Sequence, residues 1–194
     1  MIVLGIGCAP DLITMQAAKI IWNAKRVAGS EQALALAEEY IQEGCFTYVL
    51  KDYFKLEEFP SDTVILNTGD PMLAGLRAEG AEYVPGISSM QVALARLRIP
   101  LDTVSVVLAH GKDHTSRSID NAVKEAKRGK NVFVVTDPKF DVNALAQALK
   151  AKKVDCMMAV CQDLGYDEER IILGTPDEPP VPTSNLFAVM LGSW

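Results

Sequence analysis

Thr68-Gly69-Asp70-Pro71-Met72-Leu73 follows the apolar run Thr63-Val64-Ile65-Leu66, which predicts a buried strand. Gly69 tolerates close approaches that a side chain would block, Asp70 accepts hydrogen bonds, and Pro71 biases the residue before it toward an extended conformation. The same residue types also form ordinary turns between a strand and a helix. Because ligands of open α/β sheets bind at the carboxyl ends of strands, the stretch is either such a turn or one wall of a binding site.

Length and composition indicate a folded protein with a sizeable core. The chain has 194 residues, of which 49% are hydrophobic and 23% charged. No apolar run approaches the roughly 20 residues that a membrane helix needs, and residues 1–5 are too short for a signal peptide. We therefore expect a cytoplasmic protein that does not enter a membrane. The net charge of −6 argues against non-specific binding of nucleic acid.

The cysteines and histidines show no metal-ligand spacing. The four cysteines include no Cys-x-x-Cys pair, and the chain has only two histidines. We expect reduced thiols and no protein-bound metal.

Strands and helices alternate along the chain. We expect strands at residues 2–4, 26–28, 46–49, 63–66, 82–84, 104–108, 132–135, 156–161, 170–173 and 186–191. Helices are predicted after the caps Thr14, Ser30, Ser88 or Ser89, and Asp141, with a further helix ending near Gly129. The helix after Ser30 is expected to run from Glu31 to Gln42 and to end at Gly44. The Pro-containing stretch 98–102 is the best linker candidate. The sequence thus predicts two α/β domains, 1–100 and 101–194, with antiparallel strands late in the second and strand-end loops facing a shared cleft.

Two further loops are candidates for the same site. Gly5-Ile6-Gly7 follows the first strand, but Pro10 occupies the position of the third glycine of a dinucleotide-binding fingerprint, and Lys25 lies where an acidic residue is expected. These departures argue against a Rossmann oxidoreductase and leave a tight turn as the alternative. Pro85-Gly86-Ile87-Ser88-Ser89 places two hydroxyls before a helix, where they either favour an anionic group or simply cap the helix.

The three loops in this order, with four segments of the second half, resemble the tetrapyrrole methylases. Those segments are Leu108-Ala109-His110-Gly111-Lys112, Val134-Val135-Thr136-Asp137-Pro138, Ala159-Val160-Cys161-Gln162-Asp163-Leu164-Gly165-Tyr166 and Ser184-Asn185-Leu186-Phe187-Ala188-Val189. The set is similar to the cobalt-precorrin-7 C5-methyltransferases of cobalamin synthesis and to the N-terminal half of the fused precorrin-6Y C5,15-methyltransferases. The resemblance spans essentially the whole chain.

This resemblance implies a two-domain α/β fold distinct from Rossmann methyltransferases (class III), with S-adenosylmethionine (SAM) folded in the cleft between the domains. It also implies a corrinoid substrate, a homodimer and, by pathway logic, a partner enzyme that methylates and decarboxylates at C15. By motif match, the cofactor contacts would be Cys8, Gly69, Asp70, Leu73, Ser88, Ser89, Thr136 and Leu164.

The implied substrate carries several carboxylates and needs cationic partners. Both histidines lie in the loop 110–117, and we expect His110, Lys112 and Arg117 to hold substrate carboxylates, the alternative being a solvated surface loop. Because methyl transfer from SAM mainly requires alignment and exclusion of water, no catalytic residue is assigned.

The chain departs from the family pattern in its first loop. Residues 8–14 read Cys8-Ala9-Pro10-Asp11-Leu12-Ile13-Thr14, one residue shorter than the usual Pro-Gly-Asp form and without its glycine. This departure affects the expected positioning of the substrate more than the expected binding of SAM. Two other functions remain open: methylation of a different tetrapyrrole carbon, and a non-catalytic SAM-binding module.

Overall fold

The computed structural model describes residues 1–53, 56–73, 75–109 and 116–194. It contains two compact units, Met1–Ser89 and Met90–Trp194. The division lies at the start of a helix, Ser89–Leu97, whereas the sequence suggested a boundary near residue 100. All of the helix after Ser89 lies in the second unit, where Arg96 in its last turn pairs with Glu169, with 2.6 Å between Nε and Oε1.

A parallel five-stranded sheet forms the first unit. Its strands are Ile2–Gly5 (β1), Arg26–Gly29 (β2), Phe46–Val49 (β3), Val64–Asn67 (β4) and Glu82–Val84 (β5), in the order β3-β2-β4-β1-β5. All four pairings are parallel. Since β1 lies between β4 and β5, the loops that follow these three strands leave the same edge of the sheet.

Among the described residues of the first unit, two α-helices begin at the predicted caps. Helix α1 (Met15–Trp22) follows Thr14, whose hydroxyl accepts a hydrogen bond from Ala17 N, and α2 (Glu31–Ala37) follows Ser30 in the same way. The sequence predicted that α2 would extend to Gln42. It instead tightens into a 3₁₀ turn over Glu38–Tyr40, closed by a bond from Ile41 N to the Glu38 carbonyl.

The second unit carries a mixed sheet. Its strands are Val104–Ala109 (β6), Asn131–Thr136 (β7), Met157–Gln162 (β8), Arg170–Gly174 (β9) and Phe187–Gly192 (β10), in the order β6-β7-β10-β8-β9. β6 and β7 are parallel, whereas β10 is antiparallel to β7 and β8, and β9 to β8, which confirms the predicted late antiparallel strands. The amino end of β10 therefore lies beside the carboxyl ends of β7 and β8.

The α-helices described in this part of the chain are α3 (Ser89–Leu97), α4 (Ser116–Lys127) and α5 (Val142–Ala151). Asp141 caps α5 by accepting a hydrogen bond from Ala144 N, as predicted. Buried residues of α4 and α5 pack with one face of the sheet in a single apolar cluster that includes Leu145, Leu149 and Val189. Among the described residues, no helix has the length and apolar character needed to cross a bilayer.

Thr63 has a fully buried hydroxyl with no hydrogen-bond partner among the described residues. Because an unsatisfied buried hydroxyl is costly, we expect Thr63→Val to stabilise the protein by about 1 kcal/mol, measured by urea unfolding. Thr103 provides the matched control, since its hydroxyl donates to the Pro100 carbonyl and accepts from Asn131, both at 2.8 Å. Thr103→Val should destabilise by about 1–2 kcal/mol. Equal losses in the two variants would show that Thr63 is satisfied in solution.

Candidate active site

The loops that follow β1, β4 and β5 are joined through their backbones. Ile6 N donates to the Asn67 carbonyl at 3.1 Å, and Gly69 N donates to the Gly7 carbonyl at 2.7 Å. The second bond belongs to an isolated bridge between Gly7 and Gly69. The first two motifs are therefore one structural unit, although more than 60 residues of sequence separate them.

Three glycines, one from each loop, pack directly against one another, and we call Gly5, Gly69 and Gly86 the glycine junction. A Cβ on Gly86 would overlap the Gly69 carbonyl oxygen and lie 2.7 Å from the carbonyl carbon of Gly5. A Cβ on Gly5 would lie 2.5 Å from Gly86 N. The obstacles are backbone atoms, which cannot rotate away, so the chain needs glycine at both positions for the loops to meet.

Asp70 ties two of these loops together through its carboxylate. Its Oδ1 accepts a hydrogen bond from Met72 N at 2.7 Å and so closes its own turn, while Oδ2 accepts from Gly86 N at 3.0 Å. A carboxylate has about four acceptor positions, so each oxygen can still accept from a ligand. Asp70 thus holds the junction in place and remains available for binding.

Two further predicted cofactor residues, Cys8 and Ser88, lie next to Gly69 of the junction. A Cβ placed on Gly69 would lie 3.7 Å from Ser88 Cα and 3.9 Å from Cys8 Cβ. Ser88 is only 2% exposed and precedes the first residue of α3, Ser89. Leu73 lies in the turn that Asp70 opens, where its N–H donates to the Asp70 carbonyl. The first unit thus gathers the predicted residues from all three of its loops at one edge of the sheet.

The other two predicted cofactor residues lie at one edge of the second sheet. The Thr136 hydroxyl, at the end of β7, donates to the Phe187 carbonyl at the start of β10. Asp163 N donates to the Leu186 carbonyl at 2.9 Å and so brings the loop after β8 to the same place. Leu164 follows directly and is 5% exposed.

Two buried or half-buried polar groups near that edge escaped the sequence analysis. Gln162 is 3% exposed, and its amide donates to the Thr183 hydroxyl and accepts from Thr183 N, both at 3.0 Å. Glu169 accepts from Gly165 N at 2.7 Å and from Arg96, its partner 73 residues away. Neither pairing has a signal in local sequence, because each depends on how distant segments meet.

The charge state of Glu169 follows from these contacts. Partial burial alone would raise the pKa of the carboxyl, but the hydrogen bonds from Arg96 and Gly165 lower that pKa below its ordinary value. The same contact with Glu169 raises the pKa of the Arg96 guanidinium. Both groups are therefore fully charged at neutral pH, and the pair is charge-assisted.

Most of the predicted substrate loop, 110–117, lies outside the described residues. His110 and Lys112 fall outside the described residues, and Arg117 is exposed in the first turn of α4. The structure therefore leaves the predicted grouping of these three side chains untested.

Further candidates for chemistry among the described residues are the buried thiol of Cys161 and the side chains that could ligate a metal. Burial, with a smaller effect of Glu169, raises the pKa of Cys161 to about 12, so this thiol is not a nucleophile at neutral pH. Across 1–53, 56–73, 75–109 and 116–194, no group of three or more His, Cys, Asp or Glu residues is arranged to hold a metal ion.

One groove of the first unit lies away from the glycine junction. It measures about 630 Å³ and is bordered by α1 and by Ile2 and Val64, the first residues of β1 and β4. A smaller groove of about 360 Å³ lies beside the first loop, where Pro10 and Asp11 face Glu38 and Glu39. Neither groove is bordered by Gly5, Gly69 or Gly86 of the glycine junction.

Comparison with known proteins now identifies the family. The family model of the tetrapyrrole (corrin/porphyrin) methylases matches residues 1–180. The chain belongs to the tetrapyrrole methylases. It is accordingly a SAM-dependent methyltransferase with an α/β fold, and SAM is its co-substrate.

A curated relative places the chain more closely within the tetrapyrrole methylases. The chain is 30% identical over 193 residues to the probable cobalt-precorrin-7 C(5)-methyltransferase of Methanocaldococcus jannaschii, covering 88% of this chain and 87% of the relative. This similarity confirms the resemblance noted from the motifs.

Solved structures of tetrapyrrole methylases share the fold. The cobalamin biosynthesis precorrin-6Y methylase of Archaeoglobus fulgidus superposes with a TM-score of 0.76 and 25% identity, covering 100% of this chain and 97% of the other. The methyltransferase CobJ gives a TM-score of 0.79 at 15% identity, covering 98% of this chain and 92% of the other. Cobalt precorrin-4 methyltransferase gives 0.73 at 18% identity, covering 100% and 94%. The last two likenesses support the fold alone.

The residues beside the glycine junction suit the polar groups of SAM. The Asp70 carboxylate keeps acceptor capacity for an ammonium or hydroxyl group. Ser88 and Ser89 stand at the amino end of α3, where hydroxyls, free N–H groups and the helix dipole favour a carboxylate. Because the junction is packed backbone to backbone, these groups are held at fixed positions.

Proposed function

We propose that this protein transfers the methyl group of SAM to C5 of cobalt-precorrin-7 or of its metal-free equivalent. The observation that carries the proposal is the 30% identity, over 88% of the chain, to a probable cobalt-precorrin-7 C(5)-methyltransferase. The likeness to an archaeal precorrin-6Y methylase over the whole chain supports it. We place the reaction in the cytoplasm.

We further propose that the strand-end loops of both units serve one SAM site in the cleft typical of the family. The residues assigned to it are Cys8, Gly69, Asp70, Leu73, Ser88, Ser89, Thr136 and Leu164. The meeting of Cys8, Gly69 and Ser88 beside the junction supports the first group. The shared edge of Thr136 and the Leu164 loop supports the second.

The chain's contribution to the reaction is alignment. When bound, SAM supplies a methyl group on a sulfonium, and this methyl passes in line to an electron-rich ring carbon as the carbon–sulfur bond breaks. The glycine junction and Asp70 hold the donor side rigid, so that little ordering remains to be done at the moment of reaction. The buried positions of Cys8, Ser88 and Leu164 exclude water from the groups beside them.

The substrate carboxylates are assigned to His110, Lys112 and Arg117. We expect Arg117→Ala or Lys112→Ala to raise the KM for the tetrapyrrole about tenfold, because each removes a charge-assisted contact. The KM for SAM should stay nearly constant. Lys124→Ala, on the exposed face of α4, is the control and should change neither constant. An unchanged tetrapyrrole KM in both test variants would refute the assignment.

The decisive experiment is methyl transfer itself. The purified protein is incubated with isotopically labelled SAM and cobalt-precorrin-7, and the mass and methylation site of the product are determined. One added methyl at C5 is the expected result. Turnover only on another tetrapyrrole intermediate would indicate a different ring carbon, and SAM binding without turnover on any intermediate would indicate a binding module.

The assembly is proposed as a homodimer that acts beside a separate enzyme for C15 methylation and decarboxylation. The family resemblance supports the dimer, and pathway logic alone supports the separate C15 enzyme. Light scattering at assay concentration tests the dimer, and conversion of the C5-methylated product by an added C15 enzyme tests the partnership.

A further inference from the structure

The loop between β8 and β9 contains one non-glycine residue in a backbone conformation that such residues rarely adopt. Asp163 and Gly165 both have positive φ angles, 49° and 85°. A non-glycine residue in this region is strained, and such strain persists only where surrounding contacts impose it. Leu164, the proposed cofactor residue, lies between these two positions, so its placement depends on whatever holds the loop.

Two side chains hold this loop. Asp163 Oδ1 accepts a hydrogen bond from the Ser184 hydroxyl at 2.7 Å, which fixes the start of the loop. Glu169 Oε2 accepts from Gly165 N at 2.7 Å, which fixes the residue directly after Leu164. Glu169 itself is oriented from outside the loop, because Arg96 on α3 donates through Nε to Oε1 at 2.6 Å and through its second amino group to Oε2 at 3.4 Å.

This contact is poorly explained as a device for stability. The Arg96 side chain is 52% exposed and that of Glu169 is 20% exposed, and ion pairs with this much solvent contribute little to folding. A two-point contact between a guanidinium and a carboxylate does, however, fix direction as well as distance. The geometry therefore suits a positioning role.

We propose that Glu169, oriented by Arg96, is a positioning residue of the cofactor site that sets the backbone of Leu164 and Gly165 for SAM binding. The proposal rests on the proposed function, since it takes Leu164 as a SAM contact. Glu169 touches neither reactant and acts through the N–H of Gly165. The loop is thereby prepared before SAM arrives, and the ordering cost on binding falls.

The test is the affinity of SAM, measured by calorimetry on the full chain without any tetrapyrrole. In Glu169→Gln one of the two carboxylate oxygens becomes an NH₂ donor, so either the 2.6 Å bond from Arg96 Nε or the 2.7 Å bond from Gly165 N is lost. We expect SAM to bind about tenfold more weakly. In turnover assays the KM for SAM should rise while kcat and the tetrapyrrole KM change little.

Glu125→Gln is the matched control. Glu125 also pairs with an arginine, Arg128, at 2.7 Å, and its side chain is 26% exposed. Both variants should lose similar thermal stability, but only Glu169→Gln should lose SAM affinity. Arg96→Gln should weaken SAM binding less than Glu169→Gln does, and the double variant should be no weaker than Glu169→Gln alone, because the two residues act as one unit.

The outcomes separate this proposal from the proposed function. SAM affinity in Glu169→Gln equal to that of the unaltered protein would overturn the positioning role and leave the methyltransferase assignment intact. If Glu169→Gln does not fold, Arg96→Gln takes its place, and wild-type affinity there would overturn the role. Failure of the unaltered protein to bind SAM would overturn the proposed function together with this inference.

Discussion

Gly86→Ala should destabilise the protein by about 3 kcal/mol or more, a large effect for the addition of one methyl group. The new Cβ would overlap the Gly69 carbonyl oxygen and come within 2.8 Å of Gly5 Cα. Because its neighbours are backbone atoms of three loops, relief requires the loops to separate. Urea unfolding measures the loss, and any folded fraction should bind SAM much more weakly, since the displaced loops carry Cys8 and Ser88.

Gly44→Ala is the control for Gly86→Ala. Gly44 has a φ of 86°, and a Cβ there would meet nothing within 4 Å. Its replacement should cost only the backbone penalty of the left-handed region, about 1 kcal/mol. A loss of stability in Gly86→Ala no larger than that in Gly44→Ala would show that the three loops can move apart freely. The glycine junction would then not be rigid.

Asp70→Ala should lower both stability and SAM affinity. It removes the acceptors of Met72 N and Gly86 N and leaves the Gly86 N–H buried without its partner, at a cost of about 2–3 kcal/mol. We expect SAM affinity to fall at least tenfold, because the loops after β4 and β5 lose their connection. Asp70→Asn should be intermediate, since its amide can accept from one of the two donors only.

The control for Asp70 is Asp141→Asn. Asp141 accepts a single backbone bond as the cap of α5, and asparagine caps helices equally well, so stability should change by less than about 0.5 kcal/mol. Unchanged SAM affinity in a destabilised Asp70→Ala would assign Asp70 to loop support alone. Unchanged stability would contradict the two hydrogen bonds.

The sequence predicted those features of this fold that depend on local chemistry. Thr14, Ser30 and Asp141 cap the helices as expected, because a short polar side chain before an apolar periodic segment satisfies the first free N–H groups wherever it occurs. Most strands appear close to the predicted positions for a similar reason, since their apolar runs are buried, whereas all four residues of β3 are exposed. The end of α2 was misplaced, because its tightening into a 3₁₀ turn has no clear local signal.

For the candidate site, the sequence identified the loops but assigned their glycines an incomplete role. Gly5 was expected to lie in a tight turn or a ligand loop, and Gly86 had no role of its own, whereas in the structure the two glycines pack against each other's backbone. Asp70 was recognised as a hydrogen-bond acceptor, but its partner Gly86 N could not be named. Such contacts are set by the strand order β3-β2-β4-β1-β5, which brings together loops that are far apart in sequence.

The motifs of this chain identified its family by resemblance, and that resemblance implied the methyl donor and the loops of the candidate site. Each motif could be found in the sequence because it is a short run of particular residue types. Only the tertiary structure decided how the loops are held. The glycine junction, the carboxylate of Asp70 on Gly86 and the Arg96–Glu169 pair all join residues that are distant in sequence. Their energies depend on distances of a few ångströms between backbone and side-chain atoms, and only the packing of the strands fixes those distances.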